Sequence, residues 1–159
     1  MLMGYFAVID TETNWADQVM SIGVVIAHSA AFAPLEAKYY ILPEEADIGG
    51  MYYEALFLET PVKPICCTRQ AAMRDLLVWC KQYGATSIFA YNARFDKTHL
   101  PELGCFTWHD IMRLAAYRQH NPKIPATADL CSTGRLKRGY GVEPMLRLLS
   151  GSPDWLSGV

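Results

Sequence analysis

Apolar residues fall into short runs near the start of this chain and into helical spacing further on. Residues 5–9 (Tyr-Phe-Ala-Val-Ile) and 19–27 (Val-Met-Ser-Ile-Gly-Val-Val-Ile-Ala) are short runs rich in β-branched and aromatic side chains, which predicts strands. A third strand is expected over 36–42, stopped by Pro43. The short links between the three favour an antiparallel meander. Residues 43–64 carry Pro43, Gly49, Gly50, Pro61 and Pro64 and read as a long connection. Its middle, 51–58, is expected to make a helical turn that packs Tyr52, Leu56 and Phe57.

The pattern then changes period. Ala72, Met73, Leu76, Leu77 and Cys80 recur at helical spacing, so a helix is expected over 68–83, capped by Thr68 and ended by Gly84. A strand over 87–91 follows, and the long helix between strands implies a right-handed crossover to a parallel neighbour. Next come a short helix from Ala93 or Arg94 to about His99, with Phe95 in the core, and a strand over 105–108. Asp110 is expected to cap a helix that packs Ile111, Leu114 and Ala115 and stops at Asn121-Pro122. Residues 121–140 read as loop, and a last helix is expected near Pro144, packing Met145, Leu148 and Leu149. The fold class is therefore α/β, in one domain over 1–159. Helices flank a mixed five-stranded sheet made of a three-strand antiparallel meander and two parallel strands.

Composition narrows the function classes. The 159 residues are 52% hydrophobic and 19% charged, which suits a globular domain. A formal net charge of −2 argues against a broad basic coat of the kind that wraps duplex DNA, but not against gripping a strand end. No apolar run approaches a membrane span, and Met1 to Tyr5 lack the cationic segment of a signal peptide. The five cysteines (Cys66, Cys67, Cys80, Cys105, Cys131) have no paired metal-site spacing, so reduced thiols and a cytoplasmic location are expected.

The chemistry begins where the first strand meets Asp10-Thr11-Glu12. Positions i and i+2 of a strand share a side, so Asp10 and Glu12 can aim two carboxylates at one point. Two hard oxygen donors so placed repel each other unless a cation or proton lies between them. A second group, Asn92-Ala93-Arg94-Phe95-Asp96, follows the fourth strand. If strands one and four are neighbours, Asp96 reaches the same sheet edge as Asp10. Turn acids, a helix-capping Asp110 and a hydrogen-bonded His109 are the plainer readings. Arg135, Lys137 and Arg138 suit either phosphate contacts or a solvated loop. Tyr52 or Tyr53 could stack a base.

Asp10-Thr11-Glu12 resembles the first motif of the DnaQ-like (DEDD) 3′–5′ exonucleases of the ribonuclease H-like superfamily. Asn92-x-x-Phe95-Asp96 resembles the second motif. Ile22-Gly23, the run Trp108 to Ala115, and Tyr140-Gly141-Val142-Glu143 with Met145-Leu146 resemble further family segments in the same order. The resemblance implies a phosphodiester hydrolase using Mg²⁺ or Mn²⁺ at a two-metal site, acting on the 3′ end of single-stranded DNA or RNA. It implies Asp10, Glu12 and Asp96 as catalytic metal ligands, with Asp10 bridging. It puts Thr11 and Asn92 on the substrate side, Asn92 chiefly by shaping its turn.

One departure stands beside the match. The family's third motif places a His or Tyr base and a further Asp on a later helix. Asp154 is the only acid after residue 149 here, and none of His28, His99, His109 and His120 lies there. Truncation, donation by another subunit, or a non-catalytic domain that binds a nucleic-acid end or a protein would each account for this. Trp155 and Leu156 look like the start of another packed element, which favours truncation. The apolar surface so left makes a homodimer an expected partner. A ribonuclease H-type endonuclease is disfavoured by the exonuclease-like second motif.

Overall fold

A computed structural model describes residues 4–159. The expectation that no leader begins at Met1 to Met3 lies outside the described residues. The chain divides into two compact units, one comprising the residues up to Ala90 with Arg94–His109, the other Tyr91–Ala93 with Asp110–Val159.

The first unit is built on a mixed sheet of six strands flanked by helices. Its strands are β1 (Tyr5–Thr13), β2 (Val19–His28), β3 (Pro34–Ile41), β4 (Ile65–Cys66), β5 (Ser87–Ala90) and β6 (Thr107–Asp110), in the order β4-β3-β2-β1-β5-β6. The meander is present: β1 pairs antiparallel with β2 and β2 with β3. The crossover also has the expected sense, with β1 parallel to β5 through Ala7↔Ile88 and Val8↔Phe89.

The count of five strands is corrected to six. The added strand, β4, lies parallel to β3 at the edge, pairing Tyr40↔Ile65 and Ile41↔Cys66. Two exposed residues show no alternation, so a pattern reading passes over them. The first strand is also longer than its apolar run, because alternation continues through the polar residues to Thr13. Asp10 and Glu12 therefore lie inside a paired strand, and a bulge follows between Glu12 and Thr13.

The core of this unit lies between one sheet face and α2 (Arg69–Tyr83). Ala7 and Ile9 of β1, with Ile22, Val24 and Ile26 of β2, meet Ala72, Leu76 and Trp79. Burying a side chain such as Leu76 contributes about 2 kcal/mol. The helix starts and ends as its sequence directs. Thr68 Oγ1 accepts from the Ala71 N–H at 3.2 Å, and Gly84 closes the end at φ +66°.

Four packing expectations fail, one of them Leu149 at the end of the last helix, which is exposed. In the connection after β3, the short α1 (Pro43–Ala46) leads to a 3-10 turn over Tyr53–Phe57. Only Leu56 of that turn is buried, among Met20, Ile41 and Ala46, while Tyr52 and Phe57 face solvent. A 3-10 turn has three residues per repeat, so a single anchor leaves its neighbours pointing outward. Phe95, on α3 (Ala93–His99), is exposed and lies against the His99 ring. In the second unit, α4 (Ile111–Ala116) buries Ala115 and Ala116 and leaves Leu114 exposed.

The core of the second unit joins Ala116, Ile124, Leu136, Met145, Leu148 and Trp155. Its longer helix, α5 (Val142–Leu149), begins two residues before Pro144 with Gly141 as cap. Proline is tolerated there because the first-turn N–H groups have no partner inside the helix. No helix among the described residues is long and apolar enough to cross a membrane.

Candidate active site

The alternation of β1 decides where its acids go. Ala7, Ile9 and Thr11 are buried on one face, so Asp10 and Glu12 project from the other. On that face Asp10 stands opposite Gly23 of β2, and Gly23 opposite Tyr39 of β3. Directly paired residues project to the same side, so the missing side chain at Gly23 leaves open space beside the Asp10 carboxylate.

Asp96 reaches this strand from the first turn of α3. It is 2% exposed, and its Oδ1 accepts two hydrogen bonds from Thr11, from the backbone N–H at 3.0 Å and from the hydroxyl at 2.7 Å. One residue thus supplies two donors to one carboxylate oxygen. The segment that carries Asp96 is thereby tied to β1 between the two outward-facing acids.

The three carboxyls affect one another. Burial pushes Glu12 up to about 7, and the charges of Asp10 and Asp96 push in the same direction. Burial likewise raises Asp96 to about 6, with the Thr11 hydroxyl bond opposing and the Asp10 charge adding. Asp10 is exposed by surface area, yet nearby protein still desolvates its carboxyl enough to raise it, against the pull of the Thr11 backbone bond. Carboxyls raised jointly by desolvation and like charge favour a proton or a cation among them.

Their donor chemistry, all carboxylate oxygen, suits a hard divalent ion. Among the described residues, however, no group of three or more His, Cys, Asp and Glu side chains is arranged to hold a metal ion. The acids share a field without forming a finished cage.

The surroundings contain two features that sequence reasoning missed. His99 lies one helical turn after Asp96. Its Nδ1 is 2.8 Å from the Phe95 carbonyl oxygen, and its Nε2 is 2.8 Å from Asp17 Oδ1. Both partners are oxygen acceptors, a setting that favours a proton on each ring nitrogen. Burial alone would lower its pKa; the two bonds and the charges of Asp17 and Asp96 overcome that and raise it. Asn14 is the second feature. Its Oδ1 accepts from the Ala16 and Gln18 N–H groups at 2.9 Å each, and its Nδ2 donates to the Glu45 carbonyl at 2.9 Å. Those bonds shape the β1–β2 turn, where Asp17 takes a positive φ of 60°. The only sequence signal for Asn14 is its place in a polar turn, and His99 carries none beyond its helical spacing from Asp96.

The other anticipated residues lie as follows. Asn92 is exposed with a positive φ of 61°, and its N–H donates to Asp110 Oδ1 at 2.9 Å. The same oxygen caps α4 through the Met112 N–H at 3.0 Å, as expected of Asp110. His109 stacks on Phe89 with ring centres 4.5 Å apart. In the second unit, the Arg135 guanidinium lies 4.2 Å from the Tyr140 ring centre, while Lys137 and Arg138 are exposed. Asp154 is exposed too, and Trp155 packs into that unit's core. Compared with known proteins, the chain matches no protein-family model and no curated protein.

Proposed function

We propose that this chain is a metal-dependent 3′–5′ exonuclease domain of the DnaQ-like type, on a ribonuclease H-like fold, acting on single-stranded DNA or RNA ends. The observation that carries the reading is the double hydrogen bond from Thr11 to Asp96. It brings the second-motif acid to the strand that bears the two first-motif acids, 85 residues away in sequence. Asp10, Glu12 and Asp96 would hold Mg²⁺ or Mn²⁺; when bound, the ion supplies positive charge against a phosphodiester and acidifies water. Thr11 orients Asp96 and satisfies one of its oxygens. The open space at Gly23 admits a ligand beside Asp10.

A second reading, binding of a nucleic-acid end without efficient cleavage, is favoured by His99. It lies one turn from Asp96, yet both its ring nitrogens are engaged, by the Phe95 carbonyl and by Asp17, so neither is free to take a proton from a bound water. The test is a 5′-labelled single-stranded DNA or RNA oligonucleotide incubated with Mn²⁺ or Mg²⁺. Stepwise shortening from the 3′ end, abolished by Asp10→Ala and by EDTA, is the expected result. Shortening that survives both would overturn the metal mechanism. Metal-dependent retention of a 3′ end without shortening would select the binding reading.

A further inference from the structure

Beyond the acids, the first unit carries an exposed apolar surface on the connection after β3 and the β1–β2 turn. Trp15, Met51, Tyr52, Phe57 and Leu58 each leave more than half of their surface in solvent. They are held on a firm base. The Trp15 N–H donates to the Gly49 carbonyl at 2.9 Å. Gly50 lies so close to the strand end that a Cβ there would meet the Thr13 carbonyl oxygen at 2.6 Å. Leu56 anchors the 3-10 turn from below, and the Tyr53 and Phe57 rings meet edge to face at 5.2 Å. Four of the five follow one another closely on the connection after β3, and the fifth, Trp15, is on the turn bonded to the start of that connection. Large apolar side chains exposed together on one segment mark interaction surfaces.

The charge around it selects the occupant. Residues 39–62 contain Glu44, Glu45, Asp47, Glu54 and Glu59 and no Lys or Arg. Among the described residues none of these five acids is in an ion pair, and while Arg69 lines the same pocket as Glu44 and Glu45, Glu54 and Glu59 belong to the segment that carries the rings. A second copy docking by the same face would set like charge against like, and nucleic-acid phosphates would be repelled. We propose that this surface docks a basic amphipathic segment of a protein partner, with apolar anchors seated on Trp15, Tyr52 and Phe57 and a Lys/Arg rim facing the acids.

The probe is a short amphipathic helical peptide of Leu and Lys, compared with its Leu and Glu counterpart and with a single-stranded oligonucleotide. Binding is followed by anisotropy of the labelled probe, and the oligomeric state of the protein by sedimentation. The Lys peptide is expected to bind and the Glu peptide not to. Trp15→Ser combined with Phe57→Ser should weaken binding by about tenfold or more, with unchanged circular dichroism. Glu54→Lys with Glu59→Lys keeps the rings and should weaken it mainly at low salt. Three outcomes overturn the proposal: no binding of the Lys peptide, binding indifferent to both variants, or oligonucleotide binding that depends on the rings. Self-association lost on Phe57→Ser would overturn it in favour of a second copy. Because Asp10 and Glu12 stay intact in both variants, failure here is distinguishable from failure of the nuclease assay.

Discussion

Glu12→Gln keeps the shape of the side chain and removes one of three mutually repelling acids. The carboxyl is raised from 4.5 to about 7 in the folded protein, first by burial and then by Asp10 and Asp96. Each pKa unit corresponds to about 1.4 kcal/mol, so the shift has a ceiling of roughly 3 kcal/mol. Glu12 keeps part of its surface in solvent and shares its titration with two neighbours, which reduces the expected value to about 1–2 kcal/mol. The sign follows from proton linkage. Between the ordinary and the raised value the folded state binds more protons than the unfolded state. Stability is therefore lost as pH rises from about 4.5 through about 7. The variant lacks that loss. In EDTA at about pH 8, urea denaturation followed by tryptophan fluorescence should find Glu12→Gln more stable than the native protein by about 1–2 kcal/mol, with the difference vanishing near pH 4.5. Adding Mn²⁺ should raise the native protein's stability more than the variant's, because the ion binds only the folded acids. Equal or lower stability of the variant at about pH 8 in EDTA would refute the picture of three acids sharing one field.

Thr11→Val deletes the 2.7 Å hydroxyl bond to Asp96 and keeps the backbone bond. It should cost about 1–3 kcal/mol in denaturation at neutral pH and weaken Mn²⁺ stabilisation, because a buried carboxylate loses a donor. Gly50→Ala drives a Cβ to 2.6 Å from the Thr13 backbone oxygen, which cannot rotate away. It should lower stability by about 2–3 kcal/mol, and a melting temperature equal to the native value would contradict the close approach.

What could be read from the sequence was whatever a local pattern encodes. The helix over Arg69–Tyr83 shows its apolar period, its Thr68 cap and its Gly84 stop in adjacent residues. The meander likewise follows from β-branched runs joined by short links. Pairing Asp10 with Glu12 on one side of a strand needed only the two-residue repeat. What stayed hidden depends on distant partners. The partnership of Thr11 with Asp96 is written nowhere near either residue, and the two exposed residues of β4 become a strand only because β3 lies beside them. Phe57 and Leu114 look like core residues by hydrophobicity, but their exposure is set by which face finds a neighbour.

The bonds between Thr11 and Asp96 also bear on when the acids meet during folding. They close a loop of 85 residues that contains β2, β3, the long helix and β5. Chain-closure entropy of that length is offset only after the intervening sheet has formed. Asp10 and Glu12 are neighbours on β1 from the start, but the charge of Asp96 joins them only when that loop closes. A divalent ion present from the start would find no assembled partner on the unfolded chain. It would slow unfolding rather than speed folding.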